Sequence, residues 1–295
     1  MNRVLLSSLF ALSAFALPLT GVAQTQIPAT AVTLTPAVVE VGSPELIRVA
    51  LPDAQGISGE WMGQKLEFFE GSSKSEWYAL AGVDVGAQTG ASQLKITAKL
   101  RNGEGHLELP VEIHAAIYRT EKISVAPGFV EPNPESMKLI EADSKLKASV
   151  FAQTAPERLW HGNFYVPVVS SPTDSFGVRR TYNGKLDSIH KGMDFRAHTG
   201  TPVRAGNSGT VVLARKLYFE GNCVVIDHGL GLYSISMHLS RIDAHEGEHV
   251  ETGQRLGLSG ATGRVTGPHL HWAVRWHGAY LDPAKLLKMD LSRLR

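Results

Sequence analysis

The 295-residue chain contains a single cysteine, Cys223, so no intrachain disulfide can form, and no cysteine stands near the N-terminus for lipid attachment. It also lacks an excess of either charge. With 29 basic and 28 acidic residues the formal net charge is +1, and nothing points to nucleic acid or an anionic membrane surface as a partner. Beyond residue 23 no stretch approaches the roughly 20 apolar residues that a membrane-spanning helix needs. No internal repeat is present. The lone thiol falls within the apolar strand pattern Asn222-Cys-Val-Val-Ile-Asp227, where a packing role is expected and a nucleophilic one is not.

What the chain does have is turn chemistry. Its 29 glycines and 15 prolines, with few long charged runs, imply many short strands and a mainly β fold. The length suggests two domains, each able to bury its own core. Residues 1–23 have the form of a secretory signal: Arg3 in a short positive region, an apolar stretch from Val4 to Leu19, and Gly21-Val22-Ala23 at the cleavage site. Cleavage near Ala23 would give an exported protein, periplasmic or secreted.

From Ala31 to about Arg119, runs such as Leu46–Ala50, Gln64–Phe69, Gln93–Lys99 and Leu107–His114 alternate apolar and polar residues between glycine-rich turns. This predicts an N-terminal β-sandwich over 24–125, immunoglobulin-like in type. A connector follows over 126–160. Asn133 is placed as a helix N-cap with Pro134 at the first helical position, and the helix is expected to reach about Gln153. Met137, Ile140, Leu146, Val150 and Phe151 supply its apolar side. Strand patterns resume over 161–295, where an antiparallel sheet is expected. Leu232 to His238 alternates strictly, with Tyr233, Ile235 and Met237 on one face and Ser234, Ser236 and His238 on the other.

The chemistry concentrates between His190 and Trp272. In Pro268-His-Leu-His-Trp272 the two-residue strand period sends His269 and His271 to one face and Leu270 to the other. Upstream lie His190-Lys-Gly-Met-Asp194 and His238-Leu239. A catalytic zinc site takes three protein ligands from imidazole nitrogen and carboxylate oxygen. His190, Asp194 and one histidine of the H-x-H pair make such a set, and spacing alone does not say which. The other histidine and His238 could then move protons, because imidazole titrates near neutral pH. His228, in a glycine turn, is expected to be structural. His161, His198, His245, His249 and His277 are expected to face solvent.

These segments resemble the lysostaphin-type (LytM-like) zinc metallopeptidases, which cleave the peptide part of bacterial peptidoglycan. The resemblance runs from about Asn163 to Pro283. It rests on Ser175-Phe-Gly-Val-Arg179, His190-Lys-Gly-Met-Asp194, Gly200-Thr-Pro-Val203, Ile226-Asp-His-Gly-Leu-Gly231, His238-Leu239, Ser259-Gly-Ala-Thr-Gly263 and Gly267-Pro-His-Leu-His271. It implies that His190, Asp194 and His271 bind Zn2+, that His269 is the catalytic base, and that His238 assists as proton donor or stabiliser of the tetrahedral intermediate. A tyrosine used by some members has Tyr182 as its candidate here. The implied activity is endopeptidase cleavage of peptidoglycan cross-links or stem peptides. The alternative is a non-catalytic wall-binding module that recruits or activates another hydrolase. The resemblance does not reach the N-terminal sandwich, which could bind wall or a regulatory partner, or cover the groove.

Overall fold

A computed structural model describes residues 24–294. The expected signal segment lies outside the described residues. Apart from two helices and short 3-10 turns, the described chain is built of β-strands.

The N-terminal part forms two sheets. In the larger, Gly90–Leu100 and Gly103–His114 pair antiparallel across the two-residue turn Arg101-Asn102, and Ala54–Trp61 joins on the far side of Gly90–Leu100. Alternation is plain along Gly90–Leu100: Leu94, Ile96 and Ala98 are buried, whereas Lys95 and Lys99 are exposed. The smaller sheet sets Ile47 opposite Ala79 and Val49 opposite Trp77, all buried. Each large aliphatic side chain taken out of water here contributes about 1.5–3 kcal/mol.

The connector contributes more than a helix. Thr120–Ile123, within the stretch expected to belong to the sandwich, instead pairs in parallel with Arg179–Tyr182 of the C-terminal part. The helix spans Pro134–Phe151, and the Asn133 side chain accepts a hydrogen bond from Ser136 N at 2.8 Å. Only its second half is seated: Leu146, Val150 and Phe151 pack against a cluster containing Leu213, Tyr233 and Ile235, while Met137 and Leu139 are exposed. The ring of Phe151 meets Tyr233 edge-on at 5.1 Å.

The C-terminal part is organised by one antiparallel sheet. Its strands run in the order Pro172–Asp174, Met193–Phe195, Leu270–Trp276, Leu232–Leu239, Gly221–Asp227, Gly209–Leu217 and His249–Val250. The sandwich docks at one end of this sheet. Tyr280 N donates to Asp84 Oδ2 and Asp282 N to Gly42 O, both at 2.7 Å, and Lys285 pairs with Glu40 at 2.6 Å. Cys223 is buried in the Gly221–Asp227 strand, and burial raises its thiol pKa, as suits a packing residue.

Candidate metal centre and its cleft

Three adjacent strands carry the site. In their pairing Asp194 lies opposite His271, and His271 lies opposite Met237. Opposed residues of an antiparallel pair point to the same face. Asp194 and His271 therefore meet on the face that also bears Met237 and Ala273. His190 enters from the turn before Met193–Phe195.

The three side chains converge closely. His190 Nε2 is 3.1 Å from Asp194 Oδ1 and 2.9 Å from His271 Nδ1, and His271 Nδ1 is 2.9 Å from Asp194 Oδ1. All three residues are buried. A triangle of that size measures about 1.7 Å from centre to corner. A point roughly 1 Å off its plane is thus about 2 Å from every corner, the bond length of a tetrahedral zinc site. Protonation makes the same case. His190 Nδ1 must donate to the Ser175 carbonyl at 2.8 Å, so in the neutral ring Nε2 carries a lone pair. It then faces a carboxylate oxygen with no proton between them. A cation suits this donor set; a hydrogen-bonded cluster does not. Burial alone would raise the Asp194 pKa, but the imidazoles of His190 and His271 beside it hold it well below the usual carboxylate range.

The surroundings fix this arrangement. Arg180 donates to Asp194 Oδ2 at 3.0 Å and also pairs with Asp174, so the second oxygen of Asp194 is tied away from the triangle. Gly192 leaves little room for a side chain. A Cβ there would lie 2.5 Å from His271 Nε2 and 2.6 Å from Trp272 O.

The two remaining histidines flank the triangle. His269 Nδ1 donates to Gly267 O at 2.8 Å, which leaves Nε2 directed at the site, 3.7 Å from Asp194 Oδ1. It is partly exposed, unlike the other site residues. His238 reaches the site by a different route from the one expected. Strict alternation would put it with Ser234 and Ser236 on the face away from Met237 and His271. Instead its φ is +66°, in the left-handed region that breaks the two-residue period. Its N–H is held by Glu220 O at 2.9 Å, and its Nδ1 donates to Thr262 O at 2.8 Å. The ring comes to 5.0 Å from that of His269 and 6.0 Å from that of His271. Burial, reinforced by His271 and His269, lowers its pKa to about 3, so the imidazole is neutral.

Two cavities open beside the triangle. One, of about 530 Å³, is bounded by His269, Asp194 and Arg180 on one side and by Glu121 and Lys122 of the Thr120–Ile123 strand on the other. The second, of about 300 Å³, is bordered by His190, His238 and His271 and contains Tyr182. Arg119 and Glu121 to Ser124, within the stretch expected to belong to the sandwich, line the first cavity.

The other histidines are dispersed. His228 is fully buried, with Nδ1 donating to Ser208 O at 2.7 Å and Nε2 2.8 Å from the Ser234 hydroxyl, a structural role. His161, His198, His245 and His249 are exposed. His277, expected in solvent, is half-buried because its ring packs over Gly231. The roles of Arg180, Thr262 and the Thr120–Ile123 strand are not legible in the sequence, because each acts through a contact with a distant segment.

A family model for peptidase family M23 matches residues 188–283, the stretch that holds the triangle and both flanking histidines. These residues form an M23 peptidase domain. Among curated relatives, this chain is 46% identical over 114 residues to a peptidoglycan DD-endopeptidase of Vibrio cholerae, ShyA, a match covering 38% of this chain and 26% of the relative. It is 39% identical over 118 residues to the DD-carboxypeptidase/endopeptidase Mpg of Neisseria meningitidis, covering 40% of this chain and 26% of that one. The matches thus span about a quarter of each relative's length. A crystal structure of an M23 peptidase from Pseudomonas aeruginosa aligns over 82% of this chain and 92% of its own, with 26% identity and a TM-score of 0.63. That likeness extends beyond the M23 domain into the N-terminal part.

Proposed function

We propose that the protein is an exported zinc-dependent endopeptidase that hydrolyses peptide cross-links or stem peptides of bacterial peptidoglycan. The observation that carries this proposal is the convergence of His190, Asp194 and His271 on one point, with His269 and His238 beside it. The M23 relatives, named as peptidoglycan DD-endopeptidases, support the substrate class.

When bound, zinc in such a site supplies Lewis acidity toward the scissile carbonyl and the attacking water. The rest falls to the chain. His269, locked by Gly267 O into the tautomer with a free Nε2, accepts the proton of the attacking water. His238 begins as a neutral acceptor, held by Thr262 O. It takes the second proton of the attacking water, from the hydroxyl that has added to the carbonyl carbon, and passes it to the leaving amine. Arg180 holds the second oxygen of Asp194 and so keeps the carboxylate single-toothed toward the triangle. Export is proposed from residues 1–23, with a periplasmic or secreted destination after cleavage near Ala23.

Digestion of purified sacculi tests the proposal. Mass spectrometry of the products is expected to show cross-linked muropeptides converted to monomers, with conversion lost on chelation and restored by zinc. Intact cross-links with zinc present would refute it.

A further inference from the structure

Arg264 lines the 300 Å³ cavity that His190, His238 and His271 border. Its guanidinium carbon sits 4.5 Å from the ring centroid of Tyr182 and 4.7 Å from that of Phe219. Its backbone N–H is anchored to Phe219 O at 2.8 Å. Two aromatic contacts of this kind fix the plane of a guanidinium and leave its N–H edge to bind.

That edge has no ion-pair partner among the described residues, although cations nearby do. In the same cavity Arg180 is paired with Asp174 and Asp194, and Lys147 with Glu220. Lys191 forms no ion pair among the described residues either, and its ammonium lies 4.8 Å from the ring centroid of Tyr280. The cavity therefore presents two positive groups that form no ion pair among the described residues, beside the Lys147–Glu220 pair and over a lining that includes Met237 and Ala273.

We infer that this cavity is the subsite for a carboxylate-bearing residue of the peptide substrate, with Arg264 as its specificity-determining residue. The inference rests on the hydrolase reading above. A cavity of this size is about 8 Å across, which is two residues of extended peptide. The recognised carboxylate thus lies within about two residues of the scissile bond. A planar carboxylate matches the guanidinium edge and can take two parallel hydrogen bonds from it. Lys191 adds to the positive potential without a fixed geometry.

The probe is N-acetyl-L-lysyl-D-alanyl-D-alanine, compared with its C-terminal amide. The full-length zinc-loaded protein is expected to cleave the carboxylate form with a kcat/KM about ten- to a hundredfold higher, mainly through KM, as a charge-assisted bidentate contact implies. In Arg264→Gln the gap between the two peptides should shrink below about threefold. Arg264→Lys, which keeps the charge but not the fork, should fall between. No gap in the wild type, or a gap undiminished in Arg264→Gln, would overturn the inference. If neither peptide is cleaved, the hydrolase reading fails for this bond, and calorimetric binding of the same pair decides the subsite separately. Preference for the carboxylate that disappears in Arg264→Gln would sustain it; equal or absent binding would not.

Discussion

His271 Nδ1 stands 2.9 Å from Asp194 Oδ1, across an antiparallel strand pair in which the two residues are directly opposed. Two of the three residues of the candidate metal centre are thereby set by β-sheet register. A slip of one residue would send one of the two side chains to the far face. His190 completes the set from a turn, held by the Ser175 carbonyl.

The two histidines of the H-x-H pair should separate in their effects. His271→Ala removes a corner of the triangle and is expected to lower zinc affinity at least a hundredfold, measured by competition with a chelator. His269→Ala should retain stoichiometric zinc and lose about 10²- to 10⁴-fold in turnover. Zinc retained by the first variant, or full activity in the second, would reverse the assigned roles.

Gly192→Ala tests the close approach of backbone and imidazole. The added methyl meets His271 Nε2 and Trp272 O, and both belong to a packed strand with little freedom to move. We expect a loss of about 1–3 kcal/mol in stability together with weaker zinc binding. Thermal melts with and without zinc would separate the two effects.

His228 should make the fold acid-sensitive. Burial lowers its pKa in the folded protein to about 4, against an ordinary value of 6.5. The unfolded chain takes up the proton first as pH falls. The stabilisation is therefore complete above pH 6.5 and lost as pH drops toward 4, a change on the order of 3 kcal/mol. Urea midpoints at pH 7 and pH 4.5 should differ less in His228→Asn than in the wild type.

Glu45 has the opposite sign. It is buried, and burial pushes its pKa up to about 8, only partly offset by the Ser43 hydroxyl at 2.5 Å and the charge of Lys285. Here the folded state holds the proton more tightly. The contribution is present below pH 4.5 and is lost as pH rises through 8. Glu45→Gln should raise stability at pH 9 by on the order of 2 kcal/mol and change it little at pH 5. Equal denaturation curves at pH 9 would show that Glu45 is solvated or paired when charged.

The sequence by itself determined the kinds of donor and their local directions. The two-residue strand period aimed His269 and His271 the same way, Asn133 and Pro134 marked the start of the helix, and the glycine turns announced a mainly β chain. These features depend on neighbouring residues only, so they survive in a one-dimensional record. The tertiary structure decided what depends on distant partners. It placed His271, not His269, within 3.1 Å of both other donors, because strand register is set by hydrogen bonds between segments far apart in the chain. It turned His238 toward the site through a left-handed residue anchored by Glu220 and Thr262, which overrides the alternation of its own strand. It also brought Thr120–Ile123 to the wall of the cleft, where backbone pairing and not side-chain pattern chose the neighbour.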